Sequence, residues 1–425
     1  MKKKVFIIDH ELISPIAIGK ENILKAIEDK SCGDGEITSF ETTGLPFRNG
    51  AEIREDLSHL YKHESPELID LCKLDRKMEL LVSCFNKAEN RLNSFIKKLD
   101  PKKTGVILGI GAENIPLKEN ETMMTQFIEK KQNAVCELIA HLNGDTKGLN
   151  NLANPYDIYS LYLAEKFNAK AFQKSILTAC VSSTQALAQA YDAISRGKAE
   201  VVIAGGTDSI INLIALVSFG KLGVIAETSN DLSCKPFDKN RKGTIAGEAA
   251  GITILVSEEF MKRNNIEPLA EFLGYGNTLD AFKITAPDPS ALSMSKAIQD
   301  ALVKSNLTPT DIDYYYAHGT GTRQNDGTEL KAFTNVFGEV ANSIPISSTK
   351  DRHGHAIAAA GVQEFSILLE LMKNNLIPAN MNLENPINQE LNLIKEDKKQ
   401  RINYALTSNF AFGGINTVLA VKNEL

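Results

Sequence analysis

The chain has 425 residues, 43% of them hydrophobic and 24% charged, with no Trp and a net charge of -6 at pH 7. Such a composition supports a folded core and argues against a nucleic-acid surface, which would be basic; no apolar run approaches the ~18 residues of a membrane helix. The length admits two or three domains, or one large duplicated unit.

The N-terminus, MKKKVFIIDHELISP, begins basic and then apolar, as a secretory signal does. Asp9, His10 and Glu11 interrupt it after four apolar residues, so VFII is predicted to be a first strand. The six cysteines, at 32, 72, 84, 136, 180 and 234, form no CxxC pair and no metal-ligand spacing. That pattern predicts a reducing cytoplasm and no structural zinc. Residues 9–65 read as mixed loop and short helix. From 66 to 98, Leu68, Leu71, Leu74, Met78, Leu81, Phe85, Ala88 and Leu92 recur at helical steps and predict one long helix. TGVILGIGAE (104–113) reads as a buried strand ending in glycines; without a completed GxGxxG it predicts no dinucleotide site. Residues 115–150 are polar and helical, as in a cap or a partner-facing insertion.

Residues 173–212 organise the chain: strand, sharp turn, buried helix, second strand. SILTA ends at Cys180, and Val181, Ser182, Ser183, Ala186, Ala188, Ala190 and Ala193 then follow in helical register. A helix with so little bulk suits a place where other elements press in from all sides. The partial positive charge of its N-terminus favours a thiolate at Cys180. Judged alone, Cys180 reads equally as a small core residue.

Residues 234–259 give a surface turn (PFD and a basic run) and the strand GITILV. Further on come a strand at 268–276, a helix at 290–306, strand–loop–helix at 314–329, and strand–loop–Ala-rich helix at 344–375. A polar connector spans 382–401, and 404–424 is a pair of strands around a Gly-rich turn. SSTKDRHGHAIAAAGVQEFSI places a loop before a small-residue helix, as LTACVSSTQALAQAY does. This faint repeat predicts two similar α/β halves, 1–265 and 266–425, layered helix, sheet, helix, sheet, helix. The first half holds the cap insertions and Cys180; the second holds His318 and His355.

Four positions stand together: Cys180 at a helix start, His318 in AHGTGT, His355 in the KDRHGH loop, and the turn from Phe410 to Gly414. Each histidine alone could be a hydrogen-bonded structural residue, and His353 reads as one. His318 and His355, however, follow strands and face helix starts, the usual place for sites in α/β proteins.

These residues resemble the β-ketoacyl-acyl-carrier-protein synthases of the thiolase-like condensing-enzyme superfamily. TAC before the buried helix, AGG after it, PFD…R.G, AHGTGT…D..E, SSTK….GH..AAAG and SNFAFGG.N occur in that family's order. The resemblance is strong over 170–425 and thinner over 1–120. It implies a five-layer αβαβα fold and an acyltransferase that needs neither cofactor nor metal. It also implies a Cys180-His318-His355 site and a decarboxylative condensation that lengthens a Cys-bound acyl chain by two carbons. Acyl and malonyl carrier proteins would be the partners, in fatty-acid or polyketide synthesis. The family's dimer would be homomeric, or formed with a chain-length partner; the alternative is that this chain is itself such a non-catalytic partner. By the same resemblance, Lys350 and Glu329 form an ion pair behind the site. Asp326 supports the site, Thr320 and Thr322 lie near substrate, Phe219 and Phe410 near the acyl pocket, and Phe412 at a gate. The backbone N–H groups of Cys180 and Phe412 form the oxyanion hole. Lys73, Arg76, Lys77 and Lys221 are expected to attract the carrier, and Val181 to narrow the pocket. A thiolase is disfavoured because no Cys follows 234, and the initiating-synthase branch because His355 stands where that branch has Asn.

Overall fold

The computed structural model describes residues 3–43, 45–112, 156–227 and 234–425. Ten strands form its frame. They are β1 (Val5–Ser14), β2 (Thr104–Ile110), β3 (Phe172–Ile176), β4 (Val201–Ser209), β5 (Ala246–Ser257), β6 (Ala270–Leu279), β7 (Tyr314–Tyr316), β8 (Ile346–Ser347), β9 (Tyr404–Phe410) and β10 (Ile415–Asn423). In space the first five run β1-β5-β4-β2-β3, and the last five run β6-β10-β9-β7-β8. Both sets therefore have their first, fifth, fourth, second and third strands in that order. Both also begin with two antiparallel pairings and end with two parallel ones. The sets are hydrogen-bonded to each other through β1 and β6, with Val5 opposite Phe272.

The helices that cover and separate the strands are α1 (Pro66–Leu74), α2 (Arg76–Ile96), α3 (Ile158–Lys166), α4 (Ser182–Ser195), α5 (Leu292–Lys304), α6 (Arg323–Phe337) and α7 (Ala360–Asn374). α2 and α3 close the outer face of the first set around Leu81, Phe85, Leu163 and Phe167. α5 and α6 close the outer face of the second set around Ile298, Leu302, Phe333 and Phe337. α4 and α7 lie between the sets and touch strands of both. This is the five-layer αβαβα arrangement of the thiolase-like fold.

The small residues of α4 have a steric cause. A Cβ on Gly361 of α7 would lie 2.0 Å from Thr184 Oγ1 of α4, and one on Gly109 of β2 would lie 2.2 Å from the Ser183 nitrogen. The glycines of GIG therefore let a strand press on the helix start. Such close packing leaves no slack for an added methyl.

Two elements differ from expectation. The segment predicted as one helix breaks at Asp75, whose carboxylate accepts from the N–H groups of Lys77 and Met78 and starts α2 anew; this is an N-cap acting mid-segment. β1 runs on to Ser14, through the charged residues expected to end it, with a register shift between Ile7 and Asp9. Each of those side chains has a partner: Asp9 pairs with Lys20 and Arg91, Glu11 with Arg91, and His10 with Glu370. Pairing of this kind allows a charged side chain to be buried. The insertion predicted over 115–150 lies outside the described residues. Among the described residues no helix is long and apolar enough to cross a membrane.

Candidate active site

The site lies where α4, β7, the loop after β8 and the β9–β10 turn converge. After β3 the chain turns sharply: Ala179 takes a φ of 50°, Ala179–Val181 form a 3-10 turn, and α4 begins at Ser182. A non-glycine residue with positive φ is strained and persists only where its surroundings hold it. Here the Ser182 hydroxyl accepts from the Thr178 N–H and donates to the Ala179 carbonyl, each at 2.8 Å. The turn presents the Cys180 thiol, with its Sγ 3.1 Å from His355 Nε2. The His318 and His355 rings stand edge to face, 5.3 Å between centroids.

His318 is fixed from behind. Its Nδ1 lies 3.2 Å from Lys350 Nζ and 3.1 Å from Asn409 Nδ2. Asn409 Nδ2 also donates to Glu364 Oε2 at 2.7 Å, and its Oδ1 accepts from Thr184 Oγ1 at 2.5 Å. That pattern assigns the amide orientation. Flanked by two donors, Nδ1 must accept, so the His318 proton sits on Nε2. His318 is then a neutral imidazole offering one N–H donor.

Glu329 holds the backbone of the same residue, accepting from the N–H groups of His318 at 2.7 Å and Gly319 at 2.8 Å, and from Ser408 Oγ at 3.0 Å. Asp326 accepts from the N–H groups of Phe237 at 2.8 Å and Thr320 at 3.1 Å, which shapes the loop after β7.

Burial sets the protonation states. It pushes the Cys180 thiol up to about 12, against the opposing pull of Lys350 and of hydrogen bonds from the Phe412 and Cys180 N–H groups. Burial, reinforced by Lys350, holds both His318 and His355 well below the ordinary imidazole range. The thiolate expected from the helix end is therefore corrected. A helix terminus contributes roughly 0.3–2 kcal/mol, and desolvation of an enclosed sulfur outweighs it. The resting site is a neutral thiol beside neutral imidazoles.

Cys180, His318 and His355 open onto a cleft of about 540 Å³. Thr320, Thr322, Phe219, Phe410 and Phe412 also line it. The Thr320 and Thr322 hydroxyls are 2.9 Å apart, and the Phe410 ring stands edge-on to His318 at 6.2 Å. Sγ and one nitrogen of each ring lie within 4.8 Å of one another. His318 would have to shed its Nε2 proton before that set could chelate a cation through this atom.

Two models of known families cover most of the chain. The description "Beta-ketoacyl synthase, N-terminal domain" matches residues 6–260, and "Beta-ketoacyl synthase, C-terminal domain" matches 269–384. The chain belongs to the β-ketoacyl synthase family. It is 28% identical to 3-oxoacyl-[acyl-carrier-protein] synthase 2 of Synechocystis sp. over 99% of this chain and 98% of the relative. It is 27% identical to the protein of the same name from Coxiella burnetii over 99% of both. Among solved structures, a β-ketoacyl synthase from Burkholderia phymatum has the same fold, with a TM-score of 0.81 at 24% identity over 99% of both chains. The ishigamide ketosynthase/chain length factor has a TM-score of 0.83 at 24% identity over 100% of both.

Other site expectations need correction. Lys350 pairs with Glu364, not Glu329, and also donates to the His318 carbonyl at 2.6 Å. Glu329 is instead engaged by backbone N–H groups. Val181 is fully buried away from the cleft and does not narrow it. Arg76 is tied to Glu248 and Glu79, Lys77 is buried, and Lys73 pairs with Asp70. Of that basic group, Lys73 and Lys221 are exposed on the surface. Glu364, Asn409 and Thr184 were missed. All three sit inside quoted stretches, Thr184 in LTACVSSTQ, Glu364 in AAAGVQEF and Asn409 in SNFAFGG. Only the fold shows that they meet at His318.

Proposed function

We propose that the chain is a 3-oxoacyl-[acyl-carrier-protein] synthase, an acyltransferase that joins a Cys180-bound acyl group to malonyl carrier protein with loss of carbon dioxide. The observation that carries this is the 3.1 Å approach of Cys180 Sγ to His355 Nε2, beside a His318 whose only proton is on Nε2.

In the first half-reaction, the thiol proton passes to His355 Nε2 as sulfur attacks the carbonyl of the acyl-carrier thioester. A thiol held up to about 12 would be deprotonated in concert with attack, not beforehand. The Cys180 and Phe412 N–H groups, which bond to the sulfur in the resting state, would hold the oxyanion. Such donors stabilise charge only as it develops. The carrier thiol leaves with the proton from His355.

In the second half-reaction, the malonyl C–C bond breaks and carbon dioxide departs. Its electron pair becomes an enolate whose oxygen accepts from His318 Nε2–H and, once the neutral His355 ring has exchanged its proton from Nδ1 to Nε2, from His355 as well. The enolate carbon attacks the Cys180 thioester, the sulfur is expelled as thiolate, and it takes up one proton from solvent, the proton that the overall reaction consumes. The product is a 3-oxoacyl carrier thioester two carbons longer. Lys350 and Asn409 act through His318, keeping its donor pointed at the enolate. Thr320 and Thr322 would bind the arm of the substrate, Phe219 and Phe410 the acyl chain, and Phe412 would gate it.

The intact Cys-His-His set argues against a role as a non-catalytic chain-length partner. In this reading the chain divides at 265/266, in keeping with the repeated strand order and with family matches that end at 260 and resume at 269. It works as a dimer, a homodimer or one with a chain-length partner. Its place is the cytoplasm, where the free thiols among its described residues stay reduced. The test is release of labelled carbon dioxide from malonyl carrier together with formation of the 3-oxoacyl product; release without condensation, or neither, would refute the reading.

A further inference from the structure

The two imidazoles are held in different ways. His318 is pinned through its ring, with Lys350 and Asn409 at Nδ1. His355 Nδ1 is buried and has no hydrogen-bond partner among the described residues. The His355 ring is therefore aimed by its backbone. Its N–H donates to the Ile245 carbonyl at 2.9 Å, and its carbonyl accepts from the Gly247 N–H at 3.1 Å. Two residues further on the chain makes a 3-10 turn, Ile357–Ala359, whose first residue has a φ of 36°. A β-branched residue with positive φ is an outlier, and it keeps that conformation only where its surroundings impose it.

The restraint comes from β4. Asp208, 2% exposed near the end of that strand, accepts from the Ala358 N–H through Oδ2 at 3.0 Å and from the Ser209 N–H through Oδ1 at 2.9 Å. Acceptance by both oxygens is the pattern of an ionised carboxylate. A Cβ on Gly111 would lie 1.9 Å from Asp208 Oδ1, so the backbone after β2 wedges the carboxylate in place. The turn that Asp208 holds also touches the Cys180 turn, and Ile357 lines the cleft. The charge of Asp208 opposes a thiolate at Cys180, in keeping with a sulfur that stays protonated until His355 accepts.

We infer that Asp208 is a positioning residue for acyl transfer: it clamps the turn after His355 through the Ala358 N–H, and so keeps a ring with no anchor of its own against Cys180 Sγ. The inference rests on the acyl-transfer reading above. It gives each histidine a separate support, Lys350 and Asn409 for the ring of His318 and Asp208 for the backbone of His355. It also leaves either ring nitrogen of His355 able to carry the proton, as the two half-reactions require.

A double-mutant cycle isolates an effect that passes through His355. Single-turnover acylation of Cys180 by a saturating acyl carrier protein is measured in the wild type, Asp208→Ala, His355→Ala and the double variant. Asp208→Ala should slow acylation about tenfold more when His355 is present than in the His355→Ala background, with the half-saturating carrier concentration unchanged. The effect of the lost charge on the sulfur is present in both backgrounds and cancels. Asp208→Asn keeps one acceptor oxygen and should show the same coupling at about threefold, which also serves if the alanine variant does not fold. The cycle is repeated with iodoacetamide, a small electrophile that needs no carrier: sulfur displaces iodide, and the thiol proton passes to His355. Equal effects of the Asp208 substitutions in both backgrounds would overturn the assignment. Coupling with iodoacetamide in a protein that no acyl carrier acylates would refute the acyl-transfer reading and keep the clamp; acylation without coupling in either cycle would refute the clamp alone.

Discussion

Asn409 Nδ2 and Lys350 Nζ flank the same atom, His318 Nδ1, at 3.1 and 3.2 Å. Two donors on one nitrogen fix the tautomer and leave the other nitrogen as the ring's donor. Asn409→Leu removes one donor and leaves Glu364 Oε2 without its amide partner. It should lower carbon dioxide release from malonyl carrier by about 10-fold or more while acylation of Cys180 continues. Equal loss in both half-reactions would point to a general structural defect.

The two histidines should separate by half-reaction. His355 touches Sγ and serves both steps; His318 is further back and serves the enolate. His318→Ala should retain acylation and reduce carbon dioxide release by about 10²–10³-fold, the usual cost of a lost oxyanion donor. His355→Ala should slow both, in the range of about 10²–10⁴-fold for loss of a proton acceptor. Single-turnover acylation followed by mass, beside release of labelled carbon dioxide, checks the split.

Buried carboxyls give stability a sign against pH. Burial raises Glu329 from 4.5 to about 7 and Asp351 from 3.8 to about 7. Between those limits the folded chain binds more protons than the unfolded one, so stability is greatest at the acidic end of the window and falls as pH rises to about 7. The slope is on the order of 1 kcal/mol per pH unit for each group. Urea unfolding at a series of pH values should show Asp351→Asn losing less stability across this range than the wild type. A steeper loss in the variant would contradict the assignment.

Contact between the two central helices depends on a missing methyl. Gly361→Ala sets a Cβ 2.0 Å from Thr184 Oγ1, and Thr184 in turn holds Asn409. Overpacking of this kind costs about 1–3 kcal/mol. A fall in stability of that size, accompanied by slower carbon dioxide release, is expected from chemical denaturation and the label assay; an unchanged protein would mean that the helices part freely.

Much of this was legible in the sequence because it depends on local pattern. The strand–turn–helix around Cys180, the glycines before it and the small residues after it follow from short-range sterics. His318 and His355 stood out because each lies in a distinctive loop after a strand, and the fold brings their rings together. What was not legible depended on long-range pairing. Glu364 was absent from the expected site because its meeting with Asn409 spans 45 residues, and its pairing with Lys350, only 14 residues before it, depends on how the loop after β8 folds back onto α7. The continuation of β1 through Asp9, His10 and Glu11 was hidden because their partners Arg91, Lys20 and Glu370 come from other elements. The protonation of Cys180 was misjudged for a related reason: a helix end can be read from sequence, but complete enclosure of the sulfur cannot.

The central claim is that Cys180 accepts the acyl group. Wild-type protein and Cys180→Ala are incubated with acyl carrier proteins of several chain lengths, and each intact mass is recorded. One acyl increment on the wild type and none on Cys180→Ala is the predicted result. An equal increment on both proteins, or none on the wild type with any acyl chain, would contradict it.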